Sequence, residues 1–215
     1  GPAVRALCDV GPPVLPVENV TGEVLSELLG THEHQGAALQ VESYRYADAD
    51  ELLAGQVIVV LDEVTDPHNL GAVARSALAA GAAGLVVPRH RSAHVTPAAV
   101  KASAGTLELL PVAQVVNVVS FLKDAKEAGF WVYGAAGEAS ASYLDVELTG
   151  RVVFVAGAEG RGVRPLVART CDALVSIPMT PPVESLNVSV AAALLLYEAR
   201  RQRLAQGGTD AGGGS

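Results

Sequence analysis

Apolar and polar positions fall along this chain in blocks. Val57–Leu61 is an unbroken apolar run, the pattern of a strand buried on both faces. The Ala-rich stretch Leu70–Ala80, closed by Gly81, predicts a helix with a glycine C-cap. Gly84–Val87, ended by Pro88, predicts a second strand, and Thr96-Pro97 opens a short helix with cap and N1 proline in order. Beyond it the pattern predicts a strand over Leu107–Val112, a helix over Val115–Ala128 ending at Gly129, and strands at Phe130–Gly134 and Val152–Ala156. A helix over Arg164–Cys171, a strand over Ala173–Ile177 closed by Pro178, and a long helix over Ser185–Arg203 complete the series. Repeated strand–helix alternation predicts an α/β fold, a parallel sheet flanked by helices.

Before residue 56 the pattern is different. Val24–Leu29 reads as a helix, Gly36–Val41 as a strand, and Asp48–Leu53 as a short helix capped by Asp48 or Asp50. This is too little chain for an independent core. The expected organisation is an N-terminal segment and linker over residues 1–55, a main domain over 56–205, and a Gly-rich disordered tail over 206–215.

Composition refines this picture. Half of the residues are hydrophobic but only 4% are aromatic, so the core must be aliphatic. The two cysteines, Cys8 and Cys171, imply neither a metal site nor a disulfide framework. His32, His34, His68, His90 and His94 lack acidic residues at metal-ligand spacing, so no metal is expected. The most apolar stretch, Val188–Tyr197, is far short of the ~20 residues that a membrane span needs. A cytoplasmic protein with no membrane partner is expected. The net charge of −8 argues against nonspecific nucleic-acid binding, but its distribution is uneven. Residues 1–55 carry −7 and residues 56–215 only −1. Arg89, His90, Arg91, His94 and Lys101 form one basic group, and Arg161, Arg164 and Arg169 another. Screening confines each local field to ~8–10 Å, so an acidic protein can still present a basic cleft.

Parallel sheets bind ligands at the carboxyl ends of their strands. Three such places carry polar or glycine-rich sequence. After the first strand, Asn69 stands at the start of a helix and Arg75 about a turn and a half further on. A helix cap would explain Asn69 alone and a snorkelling side chain Arg75 alone; together at a strand end they point to a site. Val155–Gly162 holds Gly157, Gly160 and Gly162 around Glu159, more glycine than a simple turn needs. The spacing is neither that of a dinucleotide fingerprint nor that of a phosphate-binding loop. Ile177-Pro178-Met179 leads to Ser185-Leu186-Asn187, where Ser185 reads as a helix cap and Asn187 as a first-turn residue. The residues alone thus describe a small-molecule site built from three loops, without naming its ligand.

These three stretches, in order and at matching spacing over roughly residues 56–203, resemble the signature motifs of the SpoU (TrmH-like) family of RNA ribose 2′-O-methyltransferases, within the knotted SPOUT superfamily. Residues 31–46, with His34-Gln35-Gly36, resemble the end of the L30-like substrate domain that precedes the knot in many members. The resemblance implies a deep C-terminal trefoil knot, S-adenosylmethionine as cofactor, and a homodimer with the last helix at its interface. It implies that Gly157, Ile177 and Leu186 contact the cofactor, and that Asn69, Arg75, Glu159, Ser185 and Asn187 form the catalytic set. The implied substrate is RNA, a guanosine ribose in 23S rRNA. The alternatives are a tRNA ribose, a non-catalytic RNA-binding module and a nucleotide-dependent oxidoreductase; the last lacks its fingerprint here. Pro181-Pro182 stands where relatives often carry glycine, a departure that affects the third loop.

Overall fold

The apolar runs become strands and the Ala-rich stretches the helices that cover them. In a computed structural model, residues 17–32, 34–158 and 160–207 are described. By internal contacts the chain divides after Tyr44. In the first unit, helix α1 (Gly22–Leu29) starts on Thr21, whose hydroxyl accepts the Val24 N–H, and ends on Gly30 in the left-handed conformation. The strand expected at Gly36–Val41 is not formed: none of these residues pairs with another described segment. A short apolar run becomes a strand only where a neighbour accepts its backbone hydrogen bonds.

The second unit begins at Arg45, earlier than the pattern change at residue 56. Its elements are α2 (Ala49–Leu52), β1 (Val57–Asp62), α3 (Pro67–Ala80), β2 (Gly84–Pro88), α4 (Pro97–Ala102) and a 3₁₀ turn (Thr106–Glu108). There follow β3 (Val112–Val115), α5 (Val118–Glu127), β4 (Trp131–Ala135), β5 (Ala141–Ser142), β6 (Val152–Gly157), α6 (Pro165–Thr170), β7 (Ala173–Ser176) and α7 (Val188–Gly207). Two contacts explain why residues 45–55 belong here. Leu52 is buried in the core, and the Arg151 guanidinium lies over the Phe130 ring while donating to the carbonyls of Leu53, Gly55 and Ala128.

The sheet has seven strands in the order β3-β2-β1-β6-β4-β7-β5, and its registered pairs are parallel. All six residues of β1 are buried, as a central strand covered on both faces requires. Several expected boundaries move: the helix expected from Val115 begins at Val118, after Val115 has ended β3, and the one expected from Leu70 begins at Pro67. Leu107–Val112 is not a strand: Leu107 and Leu110, both buried, sit in and just after the 3₁₀ turn at a spacing of one turn, and β3 begins only at Val112. The last helix begins at Val188 rather than Ser185. On α7, Ala192, Leu195, Leu196 and Ala199 are buried, at the i, i+3, i+4, i+7 spacing of one helix face. No helix among the described residues is long and apolar enough to cross a membrane.

Candidate active site

The loops after β1, β6 and β7 all leave the sheet at its carboxyl edge. After β1 the chain turns through Glu63–Asp66 into α3. Asp66 is the true cap of that helix: its carboxylate accepts the His68 N–H at 2.8 Å, with Pro67 at the first helical position. Asn69 is therefore inside the first turn, and its side chain is available for other work. Its Oδ1 accepts a hydrogen bond from Asn187 Nδ2 at 2.9 Å. Two residues 118 positions apart, from the first and third motifs, thus meet.

The same contact corrects the expected start of α7. Asn187, not Ser185, caps the helix: its Oδ1 accepts the Ser189 N–H at 2.9 Å and the Ser189 hydroxyl at 2.6 Å. Asn187 uses its carbonyl oxygen on its own helix and its amide N–H on Asn69, which fixes the orientation of both amides. Ser185 is exposed in the loop before the helix and makes no such contact. Arg75 is exposed on α3 and has no ion-pair partner among the described residues. Six residues beyond Asn69, it is turned well away from that side chain around the helix axis. Glu159 lies outside the described residues.

Ile177 and Leu186 share a cavity of about 470 Å³ with Tyr143, Met179, Val183 and Leu194. That volume lies in the range of small-molecule sites, ~300–1,000 Å³, and the lining is apolar as such sites are. Leu186 in the wall is followed directly in the chain by Asn187, the donor of the amide pair. Gly157 has a different role from its neighbours in this set. A Cβ there would stand 2.0 Å from the Gly162 carbonyl carbon and 2.2 Å from the Val163 nitrogen, so its missing side chain makes room for its own loop. Ala158 and Gly162 bridge each other, closing the loop, with Gly160 and Gly162 at positive φ.

One feature was not legible from motifs. Asp62, at the end of β1, is fully buried and holds Arg164, the residue at which the glycine loop ends and α6 begins. The hydrogen bond to Asp62 pushes the Arg164 guanidinium above its ordinary pKa, keeping it charged. An acid closing an otherwise apolar strand was the available signal, since a buried carboxylate needs a cation.

The chain matches the model of the SpoU rRNA Methylase family over residues 56–197. It is 45% identical over 195 residues to the 23S rRNA (guanosine-2′-O-)-methyltransferase RlmB of Xanthomonas campestris pv. campestris, covering 87% of this chain and 78% of that protein. Among solved structures, the AdoMet-bound rRNA methyltransferase from Sinorhizobium meliloti superposes with a TM-score of 0.76 at 28% identity, covering 93% of this chain and 77% of that one. The SpoU methyltransferase AviRb from Streptomyces viridochromogenes, in complex with AdoMet, gives 0.69 at 32% identity over 75% of this chain and 66% of its own.

Proposed function

The chain belongs to the SpoU rRNA methylase family, and on that premise we propose that it transfers a methyl group from S-adenosylmethionine to the ribose 2′-hydroxyl of a guanosine in 23S rRNA. The observation that carries the reading is the Asn69–Asn187 hydrogen bond, which joins the first and third motifs. The residues fit the cofactor. Ile177 and Leu186 would hold it in the cavity, and the closed glycine loop would approach it with bare backbone. When bound, it supplies a methyl group already activated on a sulfonium.

The protein's task is then to present one hydroxyl in line and to ease the loss of its proton. A ribose hydroxyl is a poor nucleophile while protonated. The fixed amides of Asn69 and Asn187 would orient the ribose, with Ser185 on the rim. Arg75 would bind the adjacent phosphate and stabilise the developing alkoxide, because a guanidinium has donors and no acceptor. Glu159 would hold the glycine loop or the amide of Asn69.

Several further features follow the family. A homodimer would cover the exposed apolar stripe of α7, Val190, Tyr197 and Leu204, and the groove of about 340 Å³ between α7 and Ala72 and Ser76 of α3. Arg75, beside Ser76, would then stand at the rim of that interface. A trefoil knot is supported by the strand order, in which β4 lies between β6 and β7, both later in the chain. Residues 31–46 would be the end of an L30-like RNA-recognition domain, and an rRNA substrate would put the protein in the cytoplasm. A tRNA ribose is the competing substrate. Incubation with labelled S-adenosylmethionine and either RNA, followed by digestion to nucleosides, tests the reading: 2′-O-methylguanosine from 23S rRNA supports it, and label only in tRNA overturns the substrate.

A further inference from the structure

The loop that leaves β6 is fastened where it begins and where it ends. Asp62 of β1 stands in register with Gly157 of β6. From Gly157 the chain runs out and returns, packing Gly162 and Val163 so tightly on Gly157 that no Cβ would fit. The next residue is Arg164. Asp62 Oδ2 accepts its backbone N–H at 2.9 Å, Oδ1 accepts its Nε at 2.8 Å, and a second guanidinium nitrogen lies 2.6 Å from Oδ1. Both oxygens of a fully buried carboxylate are thus spent on a single residue. Glu63 adds to the arrangement. It holds a left-handed backbone, φ 59°, which non-glycine residues rarely adopt. Among the described residues its buried Oε1 makes no hydrogen bond and is reached by Arg164 at 3.6 Å and Arg91 at 3.5 Å.

Stability is a poor account of this cluster. β1 and β6 already hold each other through six registered pairs. Burying a charge pair costs desolvation that an apolar pair of similar size avoids. What the pair does supply is geometry: a planar fork on a planar carboxylate fixes distance and direction together.

We propose that Asp62 and Arg164 are positioning residues for cofactor binding, holding Gly162 and Val163 against Gly157 so that this backbone meets S-adenosylmethionine in one conformation. The proposal rests on the methyltransferase reading. Arg164 acts through the loop and touches no reacting atom, while Glu63 holds the outer face of its guanidinium.

The test is calorimetric titration with S-adenosylhomocysteine, together with steady-state methyl transfer and thermal unfolding. Arg164→Gln comes first, because the Arg164 side chain is 42% exposed and Gln keeps an N–H donor for the buried Asp62 carboxylate, while thermal unfolding reads the stability lost with the cation. Affinity for S-adenosylhomocysteine is expected to fall by about tenfold or more, the effect of losing a charge-assisted hydrogen bond. The KM for S-adenosylmethionine rises in parallel and the KM for RNA does not. Arg164→Lys, charged but without the fork, falls between. Asp62→Asn matches Arg164→Gln, and the double variant is no worse than either, because the two residues act as one unit. A folded Arg164→Gln variant with wild-type affinity overturns the clamp alone, as does an affinity loss explained fully by its unfolded fraction. Wild-type protein that binds no S-adenosylhomocysteine overturns the methyltransferase reading and the clamp with it.

Discussion

Gly157→Ala is a small change at a position with no room for it. The new Cβ would lie 2.0 Å from the Gly162 carbonyl carbon, 2.1 Å from its oxygen and 2.2 Å from the Val163 nitrogen. All three are backbone atoms, so no rotamer change relieves the overlap. Ordinary contact begins at 3.4 Å, so the loop must move by more than an ångström. Overpacking of this kind costs ~1–3 kcal/mol, which for a domain of this size lowers Tm by roughly 2–12 °C and leaves the sheet folded. Function should suffer more. A displacement of ~1 Å in a positioned group costs about a hundredfold in rate. The assay is methyl transfer at saturating RNA, with S-adenosylhomocysteine affinity and Tm measured on the same preparation. Gly150→Ala is the control, since a Cβ at Gly150 meets nothing within 4 Å. A Gly157→Ala protein with wild-type affinity and rate would refute the claim that this glycine shapes the cofactor loop.

Four other perturbations have defined outcomes. Arg75→Ala should lower kcat by about 10²–10³ with Tm nearly unchanged, as the residue is exposed, and full activity in that variant removes Arg75 from the mechanism. Tyr197→Asp puts a charge on the exposed α7 stripe and should break the proposed homodimer, read as a halved mass in light scattering; an unchanged mass overturns this interface. Burial pushes the Cys171 thiol up to about 11, against the pull of Lys126, so at pH 8 only about one molecule in a thousand carries the thiolate. Iodoacetamide should therefore leave Cys171 unmodified until the protein is denatured, and rapid native labelling contradicts the buried environment. The Glu198 carboxyl is held below its ordinary range by hydrogen bonds from Arg201 and Gln202. Its folded value lies below its unfolded one, so its stabilisation is present above the unfolded value and is lost as pH falls through the folded one. Glu198→Gln should lower Tm at pH 7 with a difference that closes in acid, and a gap that widens in acid reverses the sign.

The parts legible in sequence were those that burial writes in one letter pattern. β1, β2 and β6 are covered on both faces, so each is a continuous apolar run. The caps at Thr96 and Gly81 were legible because capping is local chemistry, and of the two candidates Asp48 and Asp50 the structure takes Asp48. The misreadings have equally physical origins. Leu107–Val112 offers an apolar run that a 3₁₀ turn can bury as well as a strand. Gly36–Val41 has strand-like residues but no partner among the described ones. Ser185 is as good a cap by type as Asn187, and only the three-dimensional start of α7 decides between them. At the candidate site, the motifs name Asn69 and Asn187, which hydrogen-bond to each other, and Ile177 and Leu186, which line one cavity. Asp62 was passed over, because what it holds is an arginine 102 positions away, a pairing that no local pattern encodes.

The central claim is the transfer of a methyl group to a ribose oxygen of 23S rRNA. Its most direct measurement is mass spectrometry of nucleosides released from 23S rRNA after incubation with this protein and methyl-labelled S-adenosylmethionine. The expected result is label in 2′-O-methylguanosine, abolished when the acceptor guanosine is replaced by its 2′-deoxy form. Label on a base, or none in a protein that binds S-adenosylhomocysteine, would contradict it.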